Sequence, residues 1–155
     1  MADVYDIENY QPRKGVGHLL NRVRTEILVA LDKELASDPE LAALELSAAQ
    51  FIVIATVALA DCAKSASDLC RGISYDAGAM TRMIDRLESK GLIHRNRHTD
   101  DRRIVYIELT EEGARAFPRM KVLSMGVMNR FLRGFSQAEA RQLEGYLTRM
   151  LENAA

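Results

Sequence analysis

Between Ser65 and Gly113 the chain is punctuated at short intervals, and this constrains its fold more than any other feature. Ser65 and Asp68 mark the start of a short helix, "ASDLCRG", with Gly72 read as its end. Ile73 to Tyr75 leave room for a tight connection. Asp76 is then placed to cap a second helix, "AGAMTRMIDRLESK", because a short acid there accepts an orphan N–H of the first turn. In that helix Met80, Ile84 and Leu87 recur at four- and three-residue steps and define an inward face. Gly78, Ala79, Arg82 and Arg86 are left on the outer one. Gly91 supplies the helix stop. "LIHRN" and "RIVYIEL", joined by "RHTDDR", read as a two-stranded hairpin. Thr110 caps the next helix, with Glu111 and Glu112 in its first turn, where the helix dipole favours acids.

The flanks are helical and more regular. Residues 1–12 read as an extended arm ending at Pro12. Val16, Leu19, Leu20, Val23, Ile27, Ala30, Leu31 and Leu35 give an amphipathic helix over 15–36, stopped before Pro39. "PELAALEL" reads as a short helical turn or loop. Ser47 and Gln50 form a capping box before the largely buried helix "SAAQFIVIATVALA". A helix over 110–133 contains Pro118, which removes one backbone hydrogen bond and is expected to kink it. Ser136 and Glu139 open a last helix, 136–151, with Leu143, Tyr146, Leu147, Met150 and Leu151 on one face.

With 155 residues, 48% of them hydrophobic and 28% charged, the chain is sized for one domain with a real core. The longest apolar run, "FIVIATVALA", is about half a membrane span. The acidic, polar start "MADVYDIENYQPRKG" has no signal-peptide pattern, so a cytoplasmic protein with no membrane partner is expected. Cys62 and Cys70 are too few for a disulfide framework and read as small, reduced, partly buried side chains. His18, His94 and His98 are scattered, and no nucleophile motif, glycine-rich phosphate loop or metal-ligand spacing occurs. An enzyme, a metal site and a bound cofactor are therefore not expected. The net charge of −1 is unevenly spread: Arg71 to Arg103 hold eight Lys/Arg against five acids, a local +3 that leaves −4 elsewhere. A basic face on a mildly acidic chain points toward a polyanion.

Short helix, tight turn, second helix, hairpin is the order of a winged helix-turn-helix. A helix about 10–12 Å across fits the roughly 12 Å major groove of B-DNA. Gly78 and Ala79 would let the backbone approach closely, and Arg82 and Arg86, one turn apart, would reach guanine edges or phosphates with forked hydrogen bonds. The bland alternative is a solvated face on which both arginines pair with Asp85 and Glu88. Arg95, Arg97 and Arg102 flank the wing as phosphate contacts or idle surface charges. "DAGAM" offers few polar side chains for base readout, which shifts weight to backbone and shape.

The run "GAMTRMIDRLESKGLIHRNRHTDDRRIVYIELTEEG" closely resembles the MarR family of bacterial transcription regulators. The matching pieces are Thr81-Arg82, Asp85-Arg86-Leu87-Glu88, Lys90-Gly91-Leu92, Asp101-Arg102-Arg103 and Leu109-Thr110-Glu111-Glu112-Gly113. The close match spans 47–113. It implies a mainly α, α+β fold of six helices with a small β-hairpin wing. It further implies an interlocked helical homodimer that reads a pseudo-palindromic operator in double-stranded DNA. On this resemblance 1–155 is one MarR-like domain, with 13–46 and 114–155 forming the dimerisation region and 47–113 the DNA-binding lobe. Arg103 is implied to enter the minor groove and Asp101 to orient it. The expected function is a ligand-responsive repressor released by a small phenolic or carboxylate effector. His18 and Arg22, four apart on the first helix, are candidates to hold it, with Tyr75 and Met80 on the opposite wall. The competing reading pairs Arg22 with Glu26 and packs His18 at the dimer interface. An oxidation-sensing regulator acting through Cys62 or Cys70 is the alternative function.

Overall fold

In the computed structural model the described residues are 3–73, 75–97 and 104–154. Six α-helices, one short 3-10 turn and three strands occur among them. They follow the order α1 (Val16–Ser37), the 3-10 turn (Ala42–Leu44), α2 (Ala48–Ala58), β1 (Lys64–Ser65), α3 (Ala66–Ile73), α4 (Ala77–Ser89), β2 (Ile93–Asn96), β3 (Tyr106–Leu109), α5 (Glu111–Phe131) and α6 (Gln137–Glu152).

Helix starts follow side-chain caps, as their spacing in the sequence predicts. Ser47 Oγ accepts from Gln50 N while Gln50 Oε1 accepts from Ser47 N, and Ser136 with Glu139 repeats this reciprocal pair. Asp76 accepts from Ala79 N, and Thr110 accepts from Gly113 N. Each cap satisfies donors that the first helical turn leaves unpaired. Gly91 ends the α4 segment with φ +69°, a left-handed value that glycine adopts without a Cβ clash. Gly72 does not play that part. It lies inside α3, which runs on to Ile73, and its φ is not positive. α5 continues through Pro118 to Phe131, close to the expected end.

The sheet differs from a plain hairpin. β3 sits between β2 and a third strand, the two-residue β1, in the order β1-β3-β2 with antiparallel pairing throughout. Lys64 and Ser65 face Ile107 and Tyr106, while Ile93 to Asn96 face Leu109 to Tyr106. Both edges of β3 are thereby hydrogen-bonded. So short a strand has no alternation to read in sequence; its partner defines it.

One continuous core joins the elements. Leu69 of α3, Met80, Ile84 and Leu87 of α4, Leu92, Ile93 and Ile107 at the sheet, and Val53 and Ile54 of α2 are buried together with Leu31, Leu35, Leu41 and Met120. The face predicted for α4 is therefore the buried one. At about 25 cal/mol per Å² of apolar surface removed from water, each such side chain contributes roughly 1.5–3 kcal/mol. Asp38 is buried among them. It accepts from Glu40 N and Leu41 N and from Nε and Nη2 of Arg119 at 2.8 and 2.6 Å. These donors, led by the Arg119 guanidinium, hold the Asp38 carboxyl below the usual carboxylate range.

The apolar faces of the flanking helices behave differently. Leu31 and Leu35 at the end of α1 are buried, but Val16, Leu19, Leu20 and Val23 at its start are exposed. On α5, Met120 and Val127 are buried while Val122, Met125 and Met128 are exposed. α6 buries none of its residues, leaving Leu143, Tyr146, Met150 and Leu151 exposed. Among the described residues no helix is long and apolar enough to cross a membrane.

Candidate nucleic-acid interface

α4 presents the predicted outer face. Gly78, Thr81, Arg82 and Arg86 are exposed and Ala79 is half-buried. Thr81 Oγ1 donates to Ala77 O, so its hydroxyl serves the helix backbone here. A Cβ on Gly78 would stand 3.2 Å from Asp76 Oδ1 and 3.4 Å from Arg82 Nη1. That glycine keeps the first turn slim where a helix N-terminus would meet a phosphate.

Arg95 departs from expectation. It is not a free phosphate contact, because its guanidinium pairs with Asp85 and Glu88 of α4, and its backbone N–H donates to Glu88 Oε1 at 3.1 Å. The two carboxylates, Asp85 first, push the Arg95 pKa further up. The reason is strand geometry. Arg95 pairs with buried Ile107 and lies two residues from buried Ile93, so it shares the sheet face turned toward α4. Period-two alternation from Ile93 was the sequence signal that would have found this.

The pairing decides a second question. Asp85 and Glu88 are engaged by Arg95, and among the described residues neither Arg82 nor Arg86 has an ion-pair partner. The solvated-pair reading of these arginines is therefore not what the structure contains. Arg97 likewise has no ion-pair partner among the described residues and is exposed. On the other sheet face His94 Nε2 lies 3.3 Å from Glu108 Oε2, which also accepts from Asn96 Nδ2. Asp101, Arg102, Arg103 and His98, at the expected wing tip, lie outside the described residues.

The wing is anchored to α5 through one residue. Thr110 N donates to Leu92 O at 3.1 Å, and Thr110 Oγ1 donates to Gly91 O at 2.5 Å. A Cβ at Gly113 would fall well inside contact distance of the Leu92 carbonyl, which is backbone and cannot turn aside. The Leu-Thr-x-x-Gly spacing thus has a physical reason: threonine ties the turn, and glycine lets α5 pass over Leu92.

The four expected effector residues differ in exposure. His18 is half-buried and Arg22 exposed on α1, with no Arg22–Glu26 ion pair. Tyr75 packs partly buried against the core, and Met80, 1% exposed, belongs to that core and offers no surface to a cleft. Clefts occur elsewhere. One of about 310 Å³ lies between the α1–α2 connector and α5, bordered by Glu40, Leu44, Arg115 and Arg119. Another of about 320 Å³ lies between the end of α2 and β3, bordered by Cys62, Lys64 and Glu108. Cys62 is exposed rather than partly buried, while Cys70 is half-buried.

A short helix, a capped second helix whose outer arginines have no ion-pair partner among the described residues, and a sheet clamped to that helix make a winged helix-turn-helix. Residues 46–105 match the MarR family model. The chain is 34% identical over 105 residues to the multiple antibiotic resistance protein MarR of Salmonella typhimurium, covering 65% of this chain and 72% of that one. It is 36% identical over 89 residues to the uncharacterized HTH-type transcriptional regulator YdgJ of Bacillus subtilis. That match takes in 57% of this chain and about half, 54%, of the relative. Among solved structures, a MarR variant of E. coli complexed with operator DNA superposes with a TM-score of 0.75 at 28% identity, over 95% of this chain and 99% of that one. Bordetella bronchiseptica BpsR, whose DNA binding is regulated by 6-hydroxynicotinic acid, superposes with a TM-score of 0.75 at 25% identity, over 94% and 99%. The chain belongs to the MarR family, and it is a transcription regulator rather than an enzyme.

Proposed function

We propose that this regulator is a homodimeric repressor that binds a pseudo-palindromic operator and is released by a small aromatic phenol or carboxylate. The observation that carries the DNA reading is the Arg95 clamp. By engaging Asp85 and Glu88, it leaves Arg82 and Arg86, on the exposed face of α4, with no ion-pair partner among the described residues. Gly78, Ala79 and Thr81 line the approach, and Arg97 and Arg102 meet phosphates beside the wing. Arg103 enters the minor groove, oriented by Asp101, as the family resemblance implies. Residues 47–113 form the DNA lobe, and 13–46 with 114–155 form the dimer lobe. The exposed apolar faces of α1, α5 and α6 support that division, since water-facing leucines and methionines of this number need a cover.

The effector reading draws on BpsR, whose DNA binding is regulated by 6-hydroxynicotinic acid. His18 and Arg22 offer a ring-nitrogen donor and a guanidinium fork for a hydroxy-acid, with Tyr75 at the other side. Binding shifts the population between two spacings of the recognition helices. An electrophoretic shift of the protein on the DNA upstream of its own gene, competed by aromatic acids, tests both parts. Binding should fall steeply with salt, because neutralised phosphates release counterions. Arg103→Ala should cost about 1–3 kcal/mol of operator affinity with the dimer intact. Salt-insensitive binding, or an unaffected Arg103→Ala variant, contradicts the assignment.

The oxidation-sensing reading has one observation in its favour: Cys62 is exposed and Lys64 Nζ stands 3.5 Å from its sulfur. Peroxide that releases DNA from the wild type but not from Cys62→Ser would favour it; equal responses would end it.

A further inference from the structure

We propose that Lys90 is a positioning residue for DNA binding: its ammonium ties the end of α4 to the α1–α2 connector and so fixes where that helix stands relative to the helical lobe. The inference rests on α4 being the DNA-contacting helix. Lys90 follows the last residue of α4, and its Nζ donates to Leu44 O at 2.5 Å and to Glu45 O at 3.1 Å. Both carbonyls reach one ammonium across a turn in which Glu45 holds φ 46° and ψ 48°. That left-handed conformation is disfavoured for a residue with a Cβ, so the connector keeps it only where its surroundings enforce it.

The connector's other end is held as firmly. Buried Asp38 gathers Glu40 N and Leu41 N locally and Arg119 of α5 from across the molecule. Leu41 and Leu46 are buried between the two ties. A polar path therefore runs from α5 through Arg119 and Asp38, along residues 38–45, and through Lys90 into α4. Apart from this path α4 packs mainly on α3 and β2, its own neighbours in the lobe. Among the described residues, Lys90 makes the only side-chain hydrogen bonds from the α4 segment to the helical lobe. At about 1.5 Å per residue, Lys90 also stands roughly 20 Å from the Asp76 end that would face DNA. With its donors on carbonyls it acts on DNA through α4, not by touching a phosphate.

Lys90→Met keeps the stem and removes the donors; Lys90→Arg keeps charge and donors. Each is compared with wild type on a fluorescent duplex of the chain's own upstream DNA over a salt series. Lys90→Met should weaken binding roughly tenfold, the scale of one lost hydrogen bond to a charged group, with an unchanged slope against salt. Lys90→Arg should recover most of it. A salt slope reduced by about 1 would make Lys90 a phosphate contact and overturn the proposal. So would a lowered Tm with unchanged affinity. In the DNA-free protein, Lys90→Met should speed amide exchange in residues 41–46 and 88–92 while leaving α6 unchanged. Unchanged exchange there overturns the tie itself. If exchange responds while the wild type binds no DNA, the tie stands and the DNA reading of α4 fails instead.

Discussion

The proposed DNA lobe and the proposed dimer lobe use the same residue types to opposite ends. In the first, Leu69, Met80, Ile84, Leu87, Leu92, Ile93 and Ile107 are all 2% exposed or less. In the second, Leu143, Tyr146, Met150 and Leu151 of α6 stand 38–73% exposed. One lobe closes its own core. The other presents helices with an apolar stripe and no cover among the described residues, which the proposed dimer would supply. This contrast separates two kinds of mutational outcome.

The largest effect should come from breaking the cover. Leu143→Glu with Met150→Glu should abolish the dimer in sedimentation and, with it, operator binding, while the far-UV signature of the DNA lobe persists. A dimer of wild-type strength would mean that α6 is not the covered face. Next is Gly113→Ala, which sets a methyl against the Leu92 carbonyl where lobe meets lobe. Overpacking of this kind should cost about 1–3 kcal/mol in urea unfolding. Asp76→Ala removes the α4 cap and should cost about 1 kcal/mol, felt inside the DNA lobe and not in dimerisation. The smallest effect is acid sensitivity at the start of α3. Hydrogen bonds from Ser65, first its hydroxyl and then its backbone N–H, with Arg71 beside them, hold the Asp68 carboxyl down to about 2. A carboxyl depressed on folding stabilises above its unfolded value of 3.8, and that contribution fades as pH falls from about 4 toward 2. Asp68→Asn should flatten the stability-versus-pH curve in that window.

The same contrast explains what could be read from sequence. Caps and stops are local, so Ser47 with Gln50, Asp76, Gly91, Thr110, and Ser136 with Glu139 were legible as residue spacings. The inward face of α4 followed from its period. Gly72 misled because a glycine near a helix end resembles a stop, although α3 carries it in an ordinary helical conformation. β1 was invisible because two residues carry no pattern. Arg95 misled because a charge beside a wing resembles a phosphate contact, while its true partners are the carboxylates 7 and 10 residues before it. Apolar periodicity on α6 reads the same whether the stripe meets its own chain or another.

The joint at Thr110 has a mechanical consequence. A single residue separates the last residue of β3 from the first of α5, and its hydroxyl is bonded to Gly91 on the α4 side. At about 1.5 Å per residue, the 21 residues of α5 make a rod roughly 30 Å long that starts at that point. A tilt of about 5° there carries the far end of such a rod about 3 Å. Small strain gathered along α5 would thus reach the wing at Thr110, whose backbone N–H and hydroxyl donate to Leu92 O and Gly91 O.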